Sequence, residues 1–227
     1  MMALEDLSFR NRNEAGRELA THLMSVRSRN PVVLTLPRGG VPVGFEVAKA
    51  LRASLDLVLV RKIGAPGHPE LGLGAVVDGA HPQRVINEDL VAELRVPASY
   101  LETEAERQLR EIERRRRSYL GGRYPIEVED RTVIVVDDGI ATGSTVRAAL
   151  KALSRSRRAD RVLAVPVAPP DTIEQLRAEA NEVVCLITPE PFYAISLYYD
   201  DFTQTSDAEV VTLLHEAQAG WGREAAQ

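Results

Sequence analysis

Short apolar runs alternate along the chain with stretches whose apolar residues recur every three or four positions. Pro31-Val-Val-Leu-Thr-Leu36 predicts a strand, followed by a helix over 41–51 with Val43, Val47 and Ala50 on one face and Pro42 near its start, where a missing N–H costs little. Leu55-Asp-Leu-Val-Leu-Val60 predicts the next strand, and Gly64-Ala-Pro-Gly-His-Pro-Glu70 a loop. Gly74–Val77 and Arg84–Ile86 flank Asp78-Gly79 as a hairpin would. Residues 97–119 predict a long helix with the stripe Leu101, Ala105, Leu109 and Ile112, the favourable pairs Glu106/Arg110, Glu111/Arg115 and Glu113/Arg117, and a stop at Gly121-Gly122. Strand Thr132–Val136 leads to a helix carrying Val146, Leu150 and Leu153, then to strand Val162–Val167. Asp171-Thr-Ile-Glu174 reads as a capping box opening a helix with Ile173, Leu176 and Ala180. Val183–Ile187 is the last strand, Ser206-Asp-Ala-Glu209 caps a final helix with Val210 and Leu214, and Ala15, Leu19 and Leu23 mark an N-terminal one. Such alternation implies an α/β fold with a mainly parallel sheet flanked by helices.

Composition narrows the function classes. The 227 residues, 44% hydrophobic, suit one compact domain with an accessory lobe. Net charge is −5, which gives no general footprint for nucleic acid. Arg114-Arg-Arg-Arg117 sits among glutamates, so a solvated, ion-paired face is expected there, and Arg155, Arg157 and Arg158 read as complements to a helix C-terminus. The single cysteine, Cys185, lies in an apolar run and is expected to be a buried small hydrophobe in a reducing compartment. Met1-Met-Ala-Leu-Glu-Asp-Leu lacks a signal peptide's basic start, and no apolar run approaches the roughly 20 residues of a membrane span, so a cytoplasmic protein without membrane contact is expected. His22, His68, His81 and His215 lack zinc-site spacing, no P-loop motif occurs, and Trp221 falls in a tail expected to be partly disordered.

The chemistry concentrates in Val133-Ile-Val-Val-Asp137-Asp138-Gly139-Ile-Ala141-Thr142-Gly143-Ser144-Thr145. An apolar strand delivers two acids to its carboxyl end, where open α/β sheets bind ligands. Small and hydroxyl residues then open a helix, whose free N–H groups suit a phosphate. Acids beside a phosphate cradle make sense if they face hydroxyl groups or a hydrated metal, and a sugar phosphate meets both demands. Upstream, Leu36-Pro37-Arg38-Gly39-Gly40-Val41 also joins a strand to a helix; its glycines allow close approach to an anion and Arg38 could fork onto phosphate oxygens.

The central segment closely resembles the phosphoribosyl pyrophosphate (PRPP) signature of type I phosphoribosyltransferases. The resemblance implies that Asp137 and Asp138 hold the ribose hydroxyls, and Mg²⁺ through water, while Ala141, Thr142, Gly143, Ser144 and Thr145 hold the 5-phosphate. Gly139 departs from the aliphatic residue usual in that family. Arg38, Gly39 and Gly40 resemble its pyrophosphate loop. Arg61 and Lys62 precede the region where the family carries a mobile lid and are candidates to neutralise the departing pyrophosphate; His68 and Glu70 on that lid are assigned no catalytic role. Pro189–Phe202 resembles the base-recognition stretch of purine-salvage members, with Phe192 the stacking candidate, Tyr193 second, and Asp200 or Asp201 for a base substituent or a metal's water; an aromatic core cluster is the equal alternative. Arg61-Lys-Ile-Gly-Ala-Pro-Gly67 resembles a bacterial subgroup of the family.

The implied organisation is one domain over 1–227, with a core at about 31–188, a lid, hairpin and charged helix at about 63–122, and a hood at about 189–216. The implied activity is Mg²⁺-dependent transfer of a phosphoribosyl group from PRPP to a small-molecule nitrogen acceptor, a purine base favoured, with a homodimer as the family's habit. Two rivals stand beside it: a PRPP-sensing module of the same fold without catalysis, and a phosphoacceptor receiver domain. The second is disfavoured by chain length and by Pro37-Arg38, which stands where a receiver would place acids.

Overall fold

A computed structural model describes residues 8–156 and 158–220. The leader reading at 1–7, Arg157 and the Trp221 tail lie outside the described residues. Five strands form a wholly parallel sheet: β1 (Pro31–Thr35), β2 (Ser54–Leu57), β6 (Thr132–Val136), β7 (Asp160–Val167) and β8 (Glu182–Ile187), in the order β2-β1-β6-β7-β8. Both faces are covered, which is why these strands read as unbroken apolar runs instead of alternating ones. Val33, Ile134, Val136, Val162 and Ala164 face one layer, which includes α1 (Arg12–His22), α2 (Gly40–Leu51), α4 (Ala98–Leu120) and α7 (Asp207–Gly220). Their neighbours Val32, Leu34, Val133, Val135, Leu163 and Val165 face the other, made by α5 (Ser144–Leu153) and α6 (Pro170–Leu176). The period-two side-chain alternation of a strand thus divides the core into two layers.

The predicted strand Leu55–Val60 is divided. Its first part is β2 in the parallel sheet; at Val60 the chain begins β3 (Val60–Ala65) of a separate antiparallel sheet with β4 (His68–Val77) and β5 (Gln83–Ile86). The expected loop 64–70 is corrected too: only Pro66-Gly67 turns, and the residues around it continue β3 and β4 as a hairpin. The second hairpin forms as expected, with Gly74 opposite Ile86. A short helix, α3 (Glu88–Glu93), was not legible. The capping box at Asp171 is also corrected: the N-cap is Pro169, two residues earlier, α6 ends before Ala180, and the Asp171 carboxylate accepts from Thr172 N–H at 2.8 Å. Ser206 does cap α7, its hydroxyl accepting from Glu209 N–H at 3.1 Å.

The four-arginine run is not uniformly solvated. Arg114 is ion-paired to Glu111 on the surface, whereas Arg116 is nearly buried and grips Asp56 through two oxygens at 2.8 and 3.0 Å and Asp78 at 2.6 Å. Asp56 also accepts from the N–H groups of Leu57 and Ile126, and Asp78 from that of Leu59. Arg116 on α4 therefore ties the end of β4, through Asp78, to the edge strand β2, through Asp56. Burial pushes the Asp78 carboxyl up to about 6 against the pull of Arg116, so desolvation cancels much of the ionic attraction. The pair's contribution is directional: it admits one docking of the long helix. Arg155, just past the end of α5, also donates to the Arg84 carbonyl at 2.9 Å and so fastens β5.

Arg116→Met leaves the buried Asp78 without its cation and Asp56 with only Arg123, at 3.4 Å, and is expected to cost about 3–5 kcal/mol in urea unfolding. Arg114→Met, on the solvent face, is expected to shift stability by less than about 0.5 kcal/mol.

Candidate functional site

The carboxyl ends of β1 and β6 lie side by side, because these strands pair in parallel with Thr35 opposite Val136. The loops that follow are packed together. Leu36 N–H donates to the Val136 carbonyl at 3.0 Å. A Cβ at Gly40 would stand 2.8 Å from that same carbonyl oxygen, and one at Gly39 would stand 2.1 Å from Asp138 Oδ2. The two glycines are therefore required by space: the Pro37–Gly40 loop lies directly on the acid pair. The Pro37–Arg38 peptide is cis. Arg38 reaches the other way, to Asp207 of α7 at 3.6 Å, and that carboxylate also accepts from Tyr119 Oη at 2.7 Å.

The two acids have different surroundings. Asp137 is half-buried and lines a cavity of about 200 Å³ with Pro37, Arg61, Arg115 and Thr145. Burial at the strand tip, and then the charge of Asp138, push its carboxyl well above the usual range. Asp138 is buried, and its Oδ2 accepts from Arg12 Nε at 2.7 Å. Its backbone carbonyl accepts from Tyr199 Oη at 2.6 Å. Ile140 N–H bonds the Val167 carbonyl at 2.9 Å, anchoring the turn to the end of β7.

The turn then opens α5. Gly143 has φ +70, a conformation side chains rarely adopt, and it serves as an N-cap with no side chain to satisfy the first-turn N–H groups. The Ala141 carbonyl is held by Thr172 Oγ1 at 3.1 Å, which fixes the loop from outside and leaves the Thr142 and Ser144 side chains exposed. Thr142, Ser144 and Thr145 line a groove of about 760 Å³ with Lys62, Arg147 and Lys151. A third cavity of about 400 Å³ contains Arg61, Lys62, Glu70 and Tyr100. Thr145 and Val60 border all three spaces, so the tip of Asp137, the free helix terminus and the basic start of β3 form one connected cleft. Arg61 is steadied by Gln108 of α4, which accepts from its Nε at 3.0 Å.

The base-recognition candidates sit in a cap beyond β8. Phe192 is half-buried and stacks on Tyr198 at 6.0 Å and 13°, within the cluster of Phe9, Tyr199 and Phe202. Tyr193 is 77% exposed. Asp200 accepts from Ser8 Oγ at 3.1 Å, and Asp201 from the N–H and hydroxyl of Thr203. Gly139 has a local reason: a Cβ there would meet Ile195 Cγ2 at 2.6 Å and Val167 Cγ1 at 3.0 Å. The aliphatic surface expected at that position is supplied from the cap by Ile195.

Sequence reasoning missed Arg12, Arg115 and Ile195. Arg12 carried one signal: it begins a helix, where a cation opposes the dipole and calls for a compensating acid. Nothing in the sequence said that the acid stands 126 positions away.

A family model described as the phosphoribosyl transferase domain matches residues 10–202, a span that holds the acid pair, both βα loops and the cap. The chain belongs to the type I phosphoribosyltransferase family. Two strains of Mycobacterium tuberculosis carry a relative named "Putative phosphoribosyl transferase", 46% identical over 210 residues. That match covers 92% of this chain and 47% of the relative, so the chain spans about half the length of the curated relatives it matches. The crystal structure of TT1426 from Thermus thermophilus is similar at 44% identity and a TM-score of 0.79, over 92% of this chain and 98% of that one. Among the described residues of the chain, no helix is long and apolar enough to cross a membrane.

Because Gly39 leaves no room for a side chain, Gly39→Ala must displace the Asp138 carboxylate and is expected to lower stability by about 1–3 kcal/mol in thermal or urea unfolding. Gly122→Ala, where a Cβ meets nothing within 4 Å, is expected to leave stability unchanged or to raise it by up to about 1 kcal/mol.

Proposed function

We propose that the chain transfers the phosphoribosyl group of PRPP to a nitrogen acceptor, a purine base favoured, with release of pyrophosphate. One observation carries this reading. A half-buried carboxylate at the tip of β6 shares a cavity with Thr145 at the uncapped start of α5 and with Arg61. That is an acid for sugar hydroxyls, N–H donors for a terminal phosphate, and a cation for a leaving group, all within one cleft.

In this reading the 5-phosphate lies against Ala141–Thr145, where first-turn N–H groups and the Thr142 and Ser144 hydroxyls donate to its oxygens. Asp137, with Asp138 behind it, holds the ribose hydroxyls. The pyrophosphate lies toward Gly39, Gly40 and Arg61, with Lys62 nearby and Arg38 within the same loop. Displacement at the anomeric carbon passes through an oxocarbenium-like state, by analogy with glycosyl transfer. The protein's part is to align donor and acceptor and to stabilise charge on the departing group. The hard carboxylate oxygens of Asp137 and Asp138 fit Mg²⁺, and a carboxyl that burial drives toward protonation gains from a cation beside it. Bound there through water, the metal would supply charge neutralisation for pyrophosphate. The acceptor would lie under the cap near Phe192 and Tyr193, with Asp200 or Asp201 for a base substituent. The sensing alternative differs in one respect, the absence of turnover.

The test incubates the protein with Mg²⁺, PRPP and a panel of purine and pyrimidine bases and measures pyrophosphate release; release with a purine is expected. PRPP binding without release under any base would leave the sensing module. In titration calorimetry, Asp137→Asn and Thr142→Ala are each expected to weaken PRPP binding by on the order of tenfold or more with little change in unfolding midpoint. Unchanged affinity in both folded variants would remove the site assignment.

A further inference from the structure

We propose that Arg12 is a positioning residue of this cleft: the N-terminal helix supplies a guanidinium that immobilises Asp138 and so fixes the acid turn beside the cavity that Asp137 lines. The inference rests on the phosphoribosyl reading above and adds to it a residue remote from the motif that suggested it.

Arg12 is 8% exposed although it opens α1. Burying a cation at the positive end of a helix is unfavourable twice over, through lost hydration and through the dipole. Its surroundings compensate at several points. Nε donates to Asp138 Oδ2 at 2.7 Å, Nη1 donates to the Thr203 carbonyl at 2.8 Å, and the guanidinium carbon lies 3.9 Å from the centroid of the Phe202 ring. Tyr199, whose ring centroid is 6.0 Å from the same carbon, donates its hydroxyl to the Asp138 backbone. A planar, multidentate cation stacked on an aromatic face is what arginine does and lysine does not.

Asp138 is consequently held on every side where contacts are seen. Arg12 takes its Oδ2, Gly39 lies against the same carboxyl group, and Tyr199 holds its carbonyl. Asp137 is the acid that borders the cavity. Asp138 thus serves as the post on which three separate segments converge: the Pro37–Gly40 loop, the cap through Tyr199 and Phe202, and the N-terminal helix. Loss of Arg12 frees a buried carboxylate next to Asp137 and unfastens the loop and the cap that flank the sugar. A misplacement of about 1 Å at such a site can cost on the order of 100-fold.

The experiment measures PRPP binding with Mg²⁺ by titration calorimetry, alongside thermal unfolding, for the wild-type chain, Arg12→Lys, Arg12→Met, Asp138→Asn and the double variant Arg12→Met with Asp138→Asn. Arg17→Met, on the same helix but half-exposed, is the control and should leave affinity unchanged. Arg12→Met is expected to weaken binding by on the order of 10- to 100-fold, and Arg12→Lys to recover part of the loss by retaining charge. The double variant is expected to bind no more weakly than Asp138→Asn, because the effect travels through Asp138. If Arg12→Met does not fold, the double variant, which removes both buried charges, and Arg12→Lys decide the question. Unaltered affinity in the folded Arg12 variants would overturn the inference alone. So would a double-variant loss equal to the product of the single losses, since Arg12 would then touch the ligand itself. A wild-type chain that does not bind PRPP would overturn the phosphoribosyl reading and this inference with it.

Discussion

Two carboxylates in succession at the end of a buried central strand repel one another and lose hydration together, and the surrounding structure is arranged to manage that cost. Asp138 is neutralised by Arg12. Asp137 is left half-buried, with its proton affinity raised by burial and by its neighbour. The solution needs a cation from α1, a loop without side chains at Gly39, and a tyrosine from the cap, so segments at both ends of the described chain are drawn to the tip of β6. An acid whose charge is costly at a buried strand tip is well prepared for a ligand that brings hydroxyl donors or a divalent cation.

A second buried charge node performs the complementary task on the other wall. Arg116 joins α4 to Asp56 and Asp78, and so fixes the antiparallel sheet against the parallel one. The consequence for the cleft is indirect but specific. Arg61 and Lys62 sit at the start of β3, Gln108 of α4 orients Arg61, and Arg115 reaches the cavity from the residue beside Arg116. Burying these ions gains little net energy, since desolvation offsets the attraction. What they secure is register: a helix rotated by one residue would bury Arg115 or Arg117 instead and carry the basic groups away from Asp137.

Much of the architecture was legible because strands covered on both faces leave long apolar runs, and because the strand–acid–acid–hydroxyl–helix string places chemistry and topology together. The boundaries that failed did so for physical reasons. Leu55–Val60 is apolar except for Asp56, and such a run does not record a change of sheet: Val58 N–H still bonds β1 through Thr35, while the Leu59 carbonyl already bonds Asp78. In the Gly- and Pro-rich stretch at 64–70 only Pro66-Gly67 makes a turn, while Gly64 lies within β3 where a Cβ would stand 2.5 Å from the Pro69 carbonyl oxygen, so a glycine there marks close strand packing and not a loop. Helical charge arithmetic paired Glu111 with Arg115 correctly, at 3.0 Å, yet could not show that Arg116 faces inward. Pairs such as Arg12 with Asp138 are set by tertiary packing between distant segments, and local pattern carries no trace of the partner.

The substitution of glycine at position 139 shows how the cap and the acid turn depend on each other. With Ile195 filling the space a side chain at 139 would occupy, the turn cannot regain an aliphatic residue unless the cap moves away. The cap in turn is stapled to the turn by Tyr199 and stacked internally through Phe192 on Tyr198. One face of Phe192 is thereby committed to the protein, so a base stacking there would meet a ring already held in place and would lose little entropy in fixing it. On the proposed function, selectivity for the acceptor would belong to the cap and the acid turn jointly, because a change at Ile195 alters the turn at Gly139 as much as the cap. Donor recognition, on the same proposal, would rest on the strand tip and the start of α5, which the core fixes from below through β6, β7 and Thr172. The acid turn is common to both, since Tyr199 and Ile195 of the cap bear on Asp138 and Gly139, the residues that lead from β6 toward α5.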